Sequence, residues 1–121
     1  MAHILLAEDD ESLRKFLAAA LVRAGHAVTD FGDGGDAYEC LKGFTFDLLL
    51  TDIVMPGMDG IELALAAGRK RPDMAIMLMT GYADQHERAH GLDAFVHDVI
   101  SKPFSVDQIT CAVREALVPR H

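Results

Sequence analysis

Basic residues are scarce in this chain of 121 residues: 11 Lys and Arg stand against 19 Asp and Glu, a formal net charge of −8. Non-specific nucleic-acid binding rests on clustered Lys and Arg, so the balance argues against a surface that neutralises phosphates along a duplex. The one basic cluster, Arg69-Lys70-Arg71, is short and reads as a solvated helix end. Cysteine is sparser still, with two in the chain. Cys40 and Cys111 lie far apart with no metal-ligand spacing, which favours idle or buried thiols over a redox pair. No apolar run approaches the ~18 residues of a membrane span. Met1-Ala2-His3 lacks the charged and apolar regions of a signal peptide, so a cytoplasmic protein is expected. Repeats, low-complexity stretches and linkers are also missing, which leaves one domain. At this length a fold buries roughly two-thirds of the surface of its unfolded chain and needs neither disulfide nor structural metal.

What is present is an alternation of short apolar runs with longer segments of helical period. Ile4-Leu5-Leu6-Ala7 is continuous, as suits a parallel strand buried on both faces, and Glu8-Asp9-Asp10 follow it. Leu13, Phe16, Leu17, Ala20, Leu21 and Ala24 then recur at helical spacing before Gly25. Residues 26–31 read as a second strand, with Val28 its only aliphatic β-branched residue. Asp33 can cap a second helix through Ala37, Tyr38 and Leu41 to Gly43. Phe46-Asp47-Leu48-Leu49-Leu50-Thr51-Asp52 is the strongest strand. Pro56, Gly57 and Gly60 break the chain into a tight loop before a third helix of Ile61, Leu63, Ala64 and Ala67 that is expected to stop near Gly68. Residues 75–80 form a Met-rich fourth strand, residues 84–98 a fourth helix plus a loop, and Val99-Ile100-Ser101 a short fifth strand. Ser105 opens a capping box with Gln108 for a last helix built on Val106, Ile109, Val113, Ala116 and Leu117.

Such alternation implies a parallel sheet covered by helices on both faces, with ligands bound where the carboxyl ends of strands meet at a topological switch point. Those ends carry Glu8 and Asp9, then Asp52, then Thr80, then Lys102 followed by Pro103. Carboxylates brought together repel one another, which raises their pKa values or demands a cation, and hard oxygen ligands suit Mg²⁺. A hydroxyl at Thr80 and an ammonium at Lys102 complete a set able to neutralise a phosphoryl group in transfer. Asp52, at the end of the most apolar strand, is the natural nucleophile, since carboxylates accept phosphoryl groups as acyl phosphates.

The acid pair, Leu-Leu-Leu-Thr-Asp-Ile-Val-Met-Pro-Gly-Met-Asp-Gly, Met-Thr-Gly and Ser-Lys-Pro-Phe, in this order and at these separations, resemble the receiver domain of two-component response regulators over essentially the whole chain. The resemblance implies a flavodoxin-like α/β fold with strand order 2-1-3-4-5. It implies that Asp52 is the phosphoacceptor and that Glu8 and Asp9 bind Mg²⁺, with Asp9 and Asp52 as direct ligands and the Val54 carbonyl as a backbone ligand. Thr80 becomes the hydroxyl that follows the phosphoryl group and Lys102 its ion-pair partner. Three acids run in sequence. Counting back from Leu13 and Arg14 favours the pair Glu8 and Asp9 over Asp9 and Asp10, and leaves Asp10 near the start of helix one, where the dipole favours an acid. In this fold Cys40 and Cys111 would lie on opposite sides of the sheet. One departure is informative: receivers usually carry an aromatic switch residue three positions before the lysine, and Val99 stands there, so an aromatic flip is not the relay. The Gly-Ala pair often found upstream is replaced by Phe95-Val96-His97-Asp98.

His86-Glu87-Arg88-Ala89-His90 matches the H-E-x-x-H zinc-protease pattern. Asp93 and Val96 fail the extended form of the motif, His97 falls one residue late, and the chain is small, so a solvated helix holding two histidines is the better reading. These histidines could still charge within the physiological pH range and alter a docking surface.

The chain ends after the last helix, so output is expected through another protein rather than an appended domain. The opening Ile-Leu-Leu-Ala-Glu-Asp-Asp, the block around Asp52 and Val-Ile-Ser-Lys-Pro-Phe most resemble the CpdR-type regulators of alphaproteobacteria. That likeness implies an adaptor that, unphosphorylated, primes the ClpXP protease for selected substrates and is turned off by a histidine kinase phosphorelay. A phosphate shuttle or sink, needing only the kinase or a histidine phosphotransferase, is the alternative. An independent Mg²⁺-dependent hydrolase is disfavoured, because Asp52-Ile53-Val54 lacks a second acid two residues after the nucleophile. The expectation is a non-enzymatic phosphoacceptor with weak intrinsic aspartyl-phosphate hydrolysis. Leu117-Val118-Pro119-Arg120 followed by His121 coincides with a thrombin site before a histidine tag, so residues 1–117 are expected to form the receiver and 118–121 a vector-derived tail.

Overall fold

Leu48, Leu49 and Leu50 are all fully buried, which requires apolar cover on both faces of their strand. A computed structural model, which describes residues 2–81 and 96–118, provides that cover. Five parallel strands, β1 (His3–Ala7), β2 (Ala27–Phe31), β3 (Leu48–Asp52), β4 (Ala75–Thr80) and β5 (Asp98–Ser101), form one sheet in the order 2-1-3-4-5. The register sets Ile4 beside Leu48, Leu48 beside Ala75 and Met77 beside Asp98. Four helices occur among the described residues: α1 (Glu11–Arg23), α2 (Gly34–Gly43), α3 (Gly60–Lys70) and α4 (Val106–Ala116). This is the flavodoxin-like arrangement expected from the sequence.

Alternation along each strand divides the core into two layers. Leu5, Leu49, Ile76 and Leu78 pack against Ala37 and Leu41 of α2 and Leu63, Ala64 and Ala67 of α3. Ile4, Leu6, Leu48, Leu50, Met77 and Met79 pack against Leu17 and Leu21 of α1 and Ile109 and Val113 of α4. Each fully buried leucine contributes about 1.5–3 kcal/mol relative to exposure. Cys40 belongs to α2 and Cys111 to α4, on opposite sides of the sheet, and both thiols are free.

Side-chain caps fix where the helices begin. Asp10 accepts from the Leu13 N–H at 3.1 Å, Asp33 from Gly35 at 2.7 Å, and Asp59 from Ile61 and Glu62 at 3.0 Å each. The capping box is formed in both directions: Gln108 N–H donates to Ser105 Oγ at 3.1 Å and Ser105 N–H to Gln108 Oε1 at 2.7 Å. Gly25, at φ 99°, stops α1 as expected. Gly68 does not stop α3, which runs on to Lys70. A glycine ends a helix by adopting positive φ, and Gly68 stays helical; the break comes at Arg71, whose backbone is pushed out of the helical region by Pro72. Arg71 is also not simply solvated, since its Nη2 donates to the Leu41 carbonyl at 3.2 Å and ties α3 to the end of α2. Of residues 84–98, Val96 and His97 lead into β5; the rest of the expected fourth helix, with His86 and His90, lies outside the described residues.

At the other edge of the sheet His26 Nδ1 accepts from the Ala2 N–H at 3.2 Å. Burial, joined by the charge of the amino terminus, lowers the His26 pKa below 6.5. The unfolded chain therefore takes up this proton more readily, and the stability it contributes above pH 6.5 is lost as pH falls through the lowered folded value. Urea midpoints at about pH 8 and about pH 5.5 are expected to differ less in His26→Phe than in wild type. Equal differences would exclude His26 as a source of acid sensitivity.

Candidate functional site at the carboxyl edge of the sheet

Parallel strands deliver their carboxyl ends to one edge, and β1, β3, β4 and β5 bring charged and hydroxyl groups there. Glu8, directly after β1, is fully buried. Its N–H donates to the Phe31 carbonyl at 3.0 Å, its Oε2 accepts from the Asp10 N–H at 3.1 Å, and its Oε1 accepts from Lys102 Nζ at 2.9 Å. Asp52, the last residue of β3, is 7% exposed; its Oδ1 accepts from the Ile53 N–H at 3.0 Å and its Oδ2 pairs with Lys102 Nζ at 3.2 Å. Asp9 is exposed beside them. One carboxylate oxygen from each of Glu8, Asp9 and Asp52 lies within 4.8 Å of the others, whereas Asp10 caps α1. The acid pair is thus Glu8 and Asp9.

Burial raises the Glu8 pKa above 4.5 and the charge of Asp52 adds to it, against the hydrogen bonds from Lys102 and the Asp10 N–H, which pull it down. For Lys102 burial works against the ammonium, but the hydrogen bond to Glu8 and the charges of Asp52 and Glu8 prevail and raise its pKa above 10.5. A single ammonium thus bridges two buried carboxylates. Three hard oxygen donors converging on one point, one of them open to solvent, match what a divalent cation takes from a protein while keeping room for water.

Thr80, the last residue of β4, is 1% exposed and stands beside Ser101 in register; its carbonyl accepts from the Lys102 N–H at 2.7 Å. Val54 lies in the loop directly after β3 with its side chain half exposed. Val99 is partly buried against the core layer shared with α2 and α3.

Residues 4–114 match the family described as the response regulator receiver domain. The chain belongs to that family. This receiver is 46% identical over 118 residues to the response regulator receiver protein CpdR of Brucella abortus (strain 2308), covering 98% of each chain. It is 33% identical over 114 residues to the DNA-binding transcriptional regulator NtrC of Escherichia coli (strain K12), covering 94% of this chain but 24% of NtrC. Among solved structures, a CheY-like receiver domain protein from Methanospirillum hungatei JF-1 superposes with a TM-score of 0.90 at 28% identity, over 97% of this chain and 94% of that one. The response regulator TrrA of Thermotoga maritima, in complex with Mg²⁺-BeF, gives 0.86 at 28% identity, over 96% and 99%.

Two contacts that hold the receiver site together escape sequence reasoning. A Cβ at Gly60 would fall onto the Asp52 carbonyl oxygen, and the Gly60 N–H donates to the Ile53 carbonyl at 2.7 Å, so the start of α3 is seated against the end of β3. The other is Arg14, whose Nη1 donates to the Glu8 carbonyl at 2.9 Å. The glycine could have been found from its place after the Asp59 cap. The arginine contact has no local sequence signal.

Proposed function

We propose that this receiver accepts a phosphoryl group on Asp52 from a histidine kinase or histidine phosphotransferase and that the modification switches its binding to a partner protein. The observation that carries the reading is the Lys102 ammonium held between Glu8 and Asp52 at the switch-point edge. An Asp52 carboxylate oxygen attacks phosphorus, the O–P bond forms as the N–P bond of phosphohistidine breaks, and the imidazole leaves. Lys102 exchanges a carboxylate for a phosphoryl oxygen, and the Thr80 hydroxyl donates to another. Asp9 and Asp52, with Glu8 and the Val54 carbonyl, would hold Mg²⁺, which supplies charge neutralisation at the phosphoryl oxygens. The Mg²⁺-BeF complex of TrrA supports this assignment.

The output is adaptor function in ClpXP-dependent proteolysis, exerted in the cytoplasm by the unphosphorylated form of the domain spanning residues 1–117. The likeness to CpdR across 98% of both chains supports it. With Val99 in β5, the signal leaves through the Thr80 and Lys102 backbones, which are hydrogen-bonded to each other at 2.7 Å, rather than through an aromatic side chain. Pull-downs from cytoplasmic extract should recover ClpX with wild type and Asp52→Ala, and lose it when wild type is treated with beryllofluoride. Recovery of the phosphodonor alone in every state would overturn the adaptor reading in favour of a phosphate shuttle.

A further inference from the structure

Arg14 sits one turn into α1, and its guanidinium reaches across three elements. Nη1 donates to the Glu8 main-chain carbonyl at 2.9 Å, and Nε donates to Asp30 Oδ2 of β2 at 3.1 Å. Gly32, just past β2, leaves room for it: a Cβ there would lie 2.7 Å from Arg14 Nη1. We infer that Arg14 is a positioning residue that fixes the Glu8-Asp9 turn so that both carboxylates face Asp52, and thereby sets the affinity of the cluster for its divalent cation. The inference rests on the metal reading given above.

Three observations favour this role over a contribution to folding. The Arg14–Asp30 pair is partly exposed, 19% and 40% by side chain, so as an ion pair it adds little to stability. Asp30 neutralises the guanidinium, so its charge does little to repel a cation, and the contact toward the site goes to a backbone carbonyl rather than to a carboxylate. Glu8 is held at four atoms: N–H to Phe31, carbonyl from Arg14, Oε2 from Asp10 and Oε1 from Lys102. When Lys102 turns to a phosphoryl oxygen the Oε1 contact is given up, and the Arg14 guanidinium still holds the Glu8 carbonyl.

Gly32 supplies a probe that leaves the Arg14 side chain chemically intact. The obstacle an added methyl meets is the far end of a flexible side chain, so Gly32→Ala should displace the guanidinium without unfolding the domain. Mg²⁺ titrated calorimetrically into the full chain is expected to bind about tenfold more weakly to both Gly32→Ala and Arg14→Met than to wild type, the low end of what outer-shell partners of a metal site are worth. The thermal midpoint of Gly32→Ala without metal should match wild type. Phosphoryl uptake by both variants should recover at saturating Mg²⁺, raising the Mg²⁺ requirement while leaving the maximal rate. Unchanged Mg²⁺ affinity in either variant overturns the inference, as does a lowered maximal rate at saturation. A wild type that takes up no Mg²⁺ would instead overturn the metal reading itself.

Discussion

Exchanging Asp52 for asparagine is expected to reduce phosphoryl uptake at least about a thousandfold, as removal of a nucleophile does. The domain should remain folded. The amide oxygen has neither the charge nor the nucleophilicity of the carboxylate, and the neighbouring carboxylates do not share its place at the end of β3: Glu8 is fully buried and held from both sides, and Asp9 stands exposed at the rim. Stability should move the other way. Asp52 raises the cost of ionising Glu8, so removing its charge relieves repulsion while Lys102 keeps its 2.9 Å contact with Glu8. Labelled phosphate transferred from a kinase, read beside the thermal midpoint, tests both halves. Full labelling of the variant would move the acceptor to another residue, and a large drop in midpoint would show that the carboxylate supports the fold.

Lys102→Met should give the largest loss of stability among the site residues, about 2–3 kcal/mol near neutral pH in metal-free buffer. Removing one partner of a buried ion pair costs roughly 3–5 kcal/mol, and a lysine side chain that is 25% exposed discounts that figure. The loss depends on pH in a defined sense. The Glu8 pKa is already raised above 4.5 in the folded state, so between 4.5 and the raised value the folded chain binds more protons than the unfolded one and stability falls as pH rises. Without the ammonium Glu8 rises further and the window widens. The deficit should therefore be largest at neutral pH and shrink below 4.5, where Glu8 is protonated in both states and only the 3.2 Å contact with Asp52 is left to lose. Lys102's own raised pKa contributes stability that is lost only as pH rises above 10.5, outside this range. Urea unfolding at about pH 7.5 and about pH 4 decides it: a deficit equal at both would detach the lysine's role from Glu8.

Strands β1, β3 and β4 were legible because burial on both faces leaves unbroken apolar runs, such as Leu48 to Leu50, that little else produces. The carboxyl-edge cluster followed from them, since parallel strands must deliver Glu8, Asp52, Thr80 and Lys102 to the same side. Asp10 was separable from the acid pair because counting back from Leu13 and Arg14 leaves it near the start of α1, where the helix dipole favours an acid; the structure makes it the cap. The end of α3 was not legible: Gly68 looks like a stop until Pro72 is given the greater weight. Arg14 and Gly32 were hidden for a different reason. Their meeting at the Glu8 carbonyl depends on how β2 lies beside β1, and no spacing within one element encodes it.

The seat of Gly60 against the Asp52 carbonyl, closed by the hydrogen bond to Ile53, has a further consequence. Both ends of the segment from Ile53 to Gly60 are anchored, backbone to backbone, so it behaves as a cartridge of fixed length. An insertion or deletion within it would lift α3 off the end of the strand that carries Asp52.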